Sequence, residues 1–536
     1  MVMPRSPDSP RTDDVQPRSR TLIDVLRQRA RDSAGRVAYR HLVDGTSASQ
    51  VSITYGALWQ RVLAVSAQVQ AAGLSGGRVA LAVRPGLDYV AGLFGVMHAG
   101  ATVVPTFPPS GKRAAERLAA VLRGCSPQAV MVDRGRTPER MPADPPVLEI
   151  SGAATGEEFG CIPADPGLLQ YTSGSTADPK GIMLNHANLM SNCAALTAHI
   201  GHESDRVGLT WLPPYHDMGL IGTLLFALHG GWPLVMMDPE HFVQTPARWL
   251  RAVGEFGVTI TVAPAFALQL CTESISDEEL AEIDLSGLRQ LFCGSEPIHP
   301  DVLGRFVMRF ESRGLSSTAL IPCYGLAEAT LFVAGKRADE QVRVDRGVVS
   351  CGVPAAGHEV FIVDPESGKP CPDGQVGEIQ VRGPNVAAGY FHDSEATGVT
   401  FRAGPHRDAL RTGDLGYLRD GELFVTGRIS GLIVIAGRNL HPQDVEATAN
   451  TCHAAVFHSV AFSVPGASGE ELVVVAERRV TTGLTEVRAA ITAAVTAAHG
   501  VRPRDVEFVG IGRIPRTTSG KLRRAEARRR YLAAAG

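Results

Sequence analysis

Apolar and polar positions along this chain follow two periods, and the period changes with place. The stretch 58–72 carries the three- and four-residue apolar spacing of a helix with one buried face. Near it stand short apolar runs at 78–83, Thr102–Pro105 and Ala129–Val132, whose length and composition predict buried strands. Helix and strand in alternation predict an α/β domain. Further along, strand-length runs at Glu359–Val363, Gly377–Arg382 and 423–426 are punctuated by Gly and Pro, with a turn at Arg419, Asp420 and Gly421. They predict a β-rich subdomain. The last unit has strands over 455–464 and 471–480, a helix over 485–498 and an Ala/Arg-rich end that reads as a solvated helix, together an α+β module. The boundary falls near 428–432. The expected division is a tail at 1–20, a large domain at 21–429 and a small domain at 430–536.

Composition narrows the classes without choosing among them. A chain of 536 residues exceeds what one core organises, so two or more domains are expected from length alone. A hydrophobic fraction of 44%, a charged fraction of 20% and a formal net charge of −3 give no general attraction to nucleic acid or to an anionic membrane. No apolar run approaches the roughly 20 residues a spanning helix needs, so no integral membrane association is expected. The first twenty residues are rich in Pro, Arg, Asp and Ser, lack the apolar core of a signal peptide and predict a disordered tail. Nine cysteines without any Cys-x-x-Cys pair argue against a zinc site and a disulfide framework, and for a reduced, cytoplasmic setting.

Candidate chemistry begins at QYTSGSTADPKG, residues 170–181. Thr172, Ser173, Ser175 and Thr176 supply hydroxyl donors, Gly174 lets successive N–H groups turn toward phosphate oxygens, and Lys180 adds a mobile charge. Ile162, Leu168 and Leu169 predict a strand before the loop, and 186–196 a helix after it. That order places the loop between strand and helix. Lys180 is followed by Gly181 and Ile182, so the Gly-Lys-Ser/Thr ending of a P-loop NTPase is missing. Taken alone, the run also reads as a polar surface connection.

Five more segments change that reading: WLPPYHDMGL (211–220), FCGSEPI (292–298), CYGLAEAT (323–330), RTGDLGYLRDGELFVTGR (411–428) and PRTTSGKL (515–522). In this order they resemble the adenylate-forming superfamily of acyl-CoA synthetases, luciferases and peptide-synthetase adenylation domains, over nearly the whole chain after the tail. PPYHDMGLIGTLL, YGLAEATLFV, and GELFVTGR with AGRNLHPQDVE are most similar to the fatty acyl-AMP ligases. The resemblance implies an α/β fold: a large N-terminal adenylate-forming domain of α/β subdomains plus a β-rich subdomain, and a small mobile α+β C-terminal domain. It also implies ATP and Mg2+ as cofactors, a fatty acid as substrate, and the phosphopantetheine thiol of an acyl carrier protein as acceptor, in lipopeptide or polyketide biosynthesis.

A carboxylate that attacks the α-phosphorus of ATP brings two anions together, so positive charge must converge on them. By the resemblance, Lys521 is the catalytic lysine that bridges carboxylate and α-phosphate, and Glu328 is the magnesium ligand, joined by Thr176. His216 orients or gates the carboxylate. Thr172, Ser173, Gly174, Ser175, Thr176 and Lys180 hold the phosphates. Gly294, Ser295 and Glu296 frame the adenine, Tyr324 packs on it with Gly325 beside it, Asp414 accepts the ribose hydroxyls and Arg428 makes the second ribose contact. Plainer readings stand beside these: a solvated helix carboxylate for Glu328, a turn residue for Asp414, a satisfied core histidine for His216, a solvated cation for Lys521. The apolar stretches 218–228 and 232–237 suit the wall of an alkyl tunnel, and core packing accounts for them equally well.

Two places depart from the family pattern. Ile429, Ser430 and Gly431 stand at the hinge, with Ser430 as pivot where relatives carry an acidic residue or lysine. The segment GKRADEQVRVDRGVVS (335–350) is short for the insertion that acyl-AMP ligases carry, which is linked with poor use of coenzyme A. The remaining motifs favour a carrier protein, on a separate chain because the sequence ends fifteen residues after Lys521. Coenzyme A is the alternative acceptor. A catalytically silent acyl or nucleotide sensor and an aryl-acid ligase are the other readings.

Overall fold

A computed structural model describes residues 20–109, 111–135, 145–152, 155–160, 162–172, 179–401, 409–435, 438–466, 469–516 and 522–535. Two mostly parallel sheets form the bulk of the large unit. In the six-stranded sheet, Arg78–Ala82 pairs in parallel with both Thr102–Pro105 and Ala129–Val132. Leu168–Tyr171 joins beside Thr102–Pro105 and Gly181–Leu184 closes that edge antiparallel. In the nine-stranded sheet, Ile260–Pro264, Gln290–Gly294 and Leu320–Gly325 run parallel in consecutive register. Helices cover these sheets, which is why their strands read as unbroken apolar runs. Helix Tyr55–Ala71 starts three residues earlier than its apolar spacing predicts, because the Thr54 side chain accepts from Ala57 N and caps it.

One expectation is corrected here. Between the anion loop and helix His186–Ile200 lies a second strand, Gly181–Leu184, so the loop spans a β-hairpin. The apolar run Gly181 to Leu184 finds partners on both edges: Leu168–Tyr171 on one side, and on the other the segment around Gly389, whose carbonyl accepts from Met183 N. The following helix satisfies its own N-terminus through a capping box between Asn185 and Asn188. An anion held by the loop would therefore rely on the loop's own hydroxyl and N–H donors and on Lys180 rather than on that helix N-terminus. Ile162 lies outside the strand and is exposed.

A four-stranded antiparallel sheet, Glu359–Val363, Gly377–Arg382, Leu410–Arg419 and Glu422–Arg428, follows in chain order. The main hydrophobic core runs from Leu22 to Leu423, a second, with Ala80, Val104, Val130 and Leu169, covers the other face of the six-stranded sheet, and separate clusters begin at Ile433. In the last unit, Val456–Gly466 and Gly469–Arg478 form a long hairpin, and Asp505–Gly510 adds in parallel. Alternate residues feed two cores: Ala461, Leu472, Val474 and Ala476 on one face, Val460, Phe462, Val473 and Val475 on the other. The terminal helix Arg524–Ala535 is more than a solvated helix. Ala527 and Tyr531, one turn apart, lie with Phe462 and Ile514 against the second face.

Candidate active site

Parallel strands that end in register deliver their next residues to one edge, the place where open α/β sheets bind ligands. Pro264 pairs with Gly294 and Cys293 with Pro322, so the residues after Gly294 and at Gly325 emerge together. Gly294 is required by this closeness: a Cβ there would lie 2.9 Å from both the Cys323 carbonyl oxygen and its Sγ. Ser295 takes φ 75°, which turns the chain sharply. Glu296 then accepts from Phe266 N at 2.7 Å, tying the loop to the start of helix Ala265–Ser274.

Tyr324, Asp414 and Arg428 form the tightest group. Tyr324 Oη donates to Asp414 Oδ2 at 2.7 Å, and Arg428 Nε donates to Oδ1 at 2.6 Å. Asp414 is buried in mid-strand, paired across to Arg428, so the turn reading of Asp414 does not hold. Burial and the Asp414 carboxylate push the Tyr324 phenol well above its ordinary pKa, which keeps it a donor. The same carboxylate raises the Arg428 guanidinium further.

Glu328 sits in a short 3-10 turn, Ala327–Ala329, that ends in backbone strain. Thr330 takes φ 62° and ψ −59°, and Leu331 N donates to Ala329 O at 2.6 Å, the pattern of a rare, strained γ-turn. The turn is held from outside: Thr330 Oγ1 donates to Asn385 O at 2.6 Å, Asn385 Nδ2 to Phe332 O at 2.8 Å, and Ala387 N to Glu328 O at 2.9 Å. The Glu328 side chain accepts from Tyr390 Oη at 2.9 Å. Burial raises its pKa, aided by Asp217, while the Tyr390 hydroxyl and Arg428 oppose. An ionised carboxylate in that setting favours a cation beside it. Among the described residues no group of three or more His, Cys, Asp or Glu side chains forms a cage for a metal. A single carboxylate fits magnesium, which takes one or two carboxylates with phosphate oxygens and water.

On the facing hairpin, Lys180 Nζ lies 3.2 Å from Asp393 Oδ2 and 4.8 Å from the centre of the Tyr390 ring. Thr172 N donates to Lys180 O across the loop mouth. Ser173, Gly174, Ser175, Thr176 and Lys521 lie outside the described residues; Arg516 and Leu522, which flank the Lys521 loop, are bridged to each other. His216 pairs with Asp217 at 2.7 Å, and Gln170 Nε2 donates to Tyr215 O at 3.0 Å, which ties the anion hairpin to this segment. The chain turns next into a buried π-helix, Leu220–Leu225. Sequence reasoning missed Tyr390 and Asp393, since GYFHD carries no pattern that separates it from any polar connection.

Residues 26–391 match the family model described as AMP-binding enzyme, and residues 430–535 match that of the Disco-interacting protein 2-like AMP domain. The chain is 34% identical to the medium-chain-fatty-acid–[acyl-carrier-protein] ligase JamA of Moorena producens, with 96% of each chain covered. It is 35% identical to 4-hydroxyphenylalkanoate adenylyltransferase of Mycobacterium tuberculosis, covering 96% of this chain and 92% of that one. Among solved structures it resembles the fatty acid AMP ligase from Legionella pneumophila, at 31% identity, TM-score 0.74 and 96% coverage of both chains.

Proposed function

Because the chain belongs to the AMP-binding, adenylate-forming enzymes and within them to the fatty acyl-AMP ligases, we propose that it uses ATP to activate a fatty acid as acyl-AMP. The acyl group then passes to the phosphopantetheine thiol of an acyl carrier protein. The observation that carries this reading is the meeting of Tyr324, at the carboxyl edge of the nine-stranded sheet, with Asp414 and Arg428 of the four-stranded sheet, where the Arg428 guanidinium also faces the Glu328 carboxylate.

The adenine lies against the Tyr324 ring, framed by Gly294, Ser295 and Glu296, because a flat apolar face suits a purine. Asp414 and Arg428 take the ribose, a carboxylate being the natural acceptor for two neighbouring hydroxyls. Thr172 to Thr176 and Lys180 hold the phosphates. Glu328, with Thr176, would hold magnesium, which supplies charge neutralisation on the phosphate oxygens when bound. The fatty carboxylate approaches from the side of His216. Lys521 draws carboxylate and α-phosphate together as the new oxygen–phosphorus bond forms and pyrophosphate leaves. In the second half-reaction the small domain, 430–536, turns about Ile429 to Gly431, and the carrier thiolate attacks the acyl carbonyl and expels AMP. The cytoplasm supplies the reduced setting this thiol chemistry needs.

The test is mass spectrometry of products from ATP, magnesium and a fatty-acid series, with holo-carrier protein and coenzyme A offered in parallel. Acyl-AMP with transfer to the carrier alone is expected. Efficient acyl-CoA formation would make the chain a synthetase, in keeping with its short 335–350 segment, and no acyl-AMP from any acid would overturn the reading.

A further inference from the structure

Between Lys180 and Glu328, which come from different sheets, stands one side chain that touches both. The segment 388–391 pairs along the outer edge of strand Gly181–Leu184: Ala388 N donates to Met183 O, Met183 N to Gly389 O, and Phe391 N to Gly181 O at 2.7 Å. Tyr390 N is held separately by Thr397 Oγ1 at 2.9 Å. Gly389 at φ 139° takes a conformation closed to other residues, and a Cβ there would press on the Thr397 side chain at 2.5 Å. Backbone on both sides of Tyr390 is thus set before its side chain makes any contact.

The side chain divides into two functional parts. Its hydroxyl donates to Glu328 Oε1, and its ring face receives Lys180 Nζ. Phe401 meets the ring edge-on at 5.2 Å and fixes its tilt. Asp393 completes the group. One carboxylate oxygen accepts from Ala396 N at 2.9 Å at the start of helix Ser394–Phe401, and the other pairs with Lys180. A tyrosine used only for packing needs no partner at its hydroxyl beyond water. Here the hydroxyl donates to the one carboxylate of the turn, with the Thr400 side chain as a second partner, and the turn itself is anchored by Asn385 and Ala387 of the same polypeptide segment.

The geometry points to Tyr390 as the positioning residue of the phosphate end of the site: its hydroxyl aims Glu328 at the metal and its ring seats Lys180 for the triphosphate. This rests on the functional reading above. A hydrogen bond to one oxygen removes a carboxylate's freedom to swing and leaves the second oxygen to the cation, and loss of such a supporting partner weakens metal binding about 10- to 100-fold. The ring acts differently. It holds the ammonium next to Asp393 in the absence of nucleotide and keeps it within reach of an arriving phosphate.

Two variants separate the two parts. Tyr390→Phe keeps the ring and removes the hydroxyl; Tyr390→Leu removes both. Calorimetric titration with ATP in EDTA reads the Lys180 seat without metal, and titration with ATP and magnesium reads the metal end. For Tyr390→Phe, ATP affinity in EDTA within about twofold of wild type is expected, with the magnesium concentration for half-maximal acyl-AMP formation and the calorimetric metal dependence both raised about tenfold or more. For Tyr390→Leu, ATP affinity in EDTA falls as well. The KM for the fatty acid stays unchanged in both. A magnesium dependence of Tyr390→Phe equal to wild type overturns the inference, and so does an equal loss of ATP, magnesium and fatty-acid binding in both variants, the mark of packing alone. Wild-type protein that makes acyl-AMP while Tyr390→Phe matches it sinks this inference only; wild-type protein that neither binds ATP nor makes acyl-AMP sinks the functional reading with it.

Discussion

At His229, burial and the nearby Arg29 and His202 push the imidazole pKa down to about 4, against an ordinary value of 6.5. His458 is pushed equally far by burial, Arg516 and Arg479. Both rings are therefore neutral in the folded protein at pH 5, while the unfolded chain protonates them as pH falls through 6.5. Their contribution to stability is full above about pH 6.5 and is lost as pH falls toward 4, at about 1.4 kcal/mol per pH unit for each. Urea unfolding between pH 7 and 4 should show the loss, and His229→Gln should flatten part of the slope. An unchanged slope would refute the assignment. The proposed active-site residues divide differently at this scale. Glu328 and Asp414 stand in recognisable motifs, whereas Tyr390 and Asp393 acquire meaning only from what lies opposite them.

The YGLAEAT turn shows what an element adds to its residues. Strand Leu320–Gly325 pairs antiparallel with Phe332–Gly335, and the chain reverses through the strained Thr330 to do so. Gly325 lies so close to this return that an added Cβ would overlap the Leu331 carbonyl oxygen, a backbone atom that cannot step aside. Gly325→Ala is expected to cost about 3 kcal/mol or more in chemical denaturation and to cut acyl-AMP formation, because relief of the overlap moves Glu328. Unaltered stability would show that the turn is loose. Sequence patterning placed such elements as Thr102–Pro105, Ala129–Val132 and Glu359–Val363 within a few residues, since period and apolar runs are local, but it predicted neither Leu320–Gly325 nor Phe332–Gly335. It misassigned the setting of the anion loop because GIML is short, and only its pairing on both edges makes it a strand.

On the scale of the whole molecule, charge is unevenly divided: the proposed small domain, 430–536, carries fourteen Lys and Arg against nine Asp and Glu in a chain of net −3. Polar contacts between the two units include Arg479 with Glu273 at 3.2 Å and Gln443 Nε2 with Thr426 O at 2.6 Å. The exposed Arg479–Glu273 pair holds weakly, in keeping with the proposed turning of the small domain. If Lys521 acts in adenylation alone, Lys521→Ala should lose acyl-AMP formation by about 100-fold or more and keep transfer from supplied acyl-AMP to the carrier thiol. Equal loss of both half-reactions would refute that division. From sequence by itself came the types of element, the order of the motifs, the family they spell and the identities of Glu328, Asp414 and Arg428, because each rests on local periodicity or on a short run of fixed chemistry. Tertiary structure alone decided that the loop before Gly181 opens from a hairpin, that Tyr324 hands its hydroxyl to Asp414, and that Tyr390 joins Lys180 to Glu328. Such meetings follow from strand order and register across three sheets, and no local pattern of side chains encodes which distant segment will lie alongside.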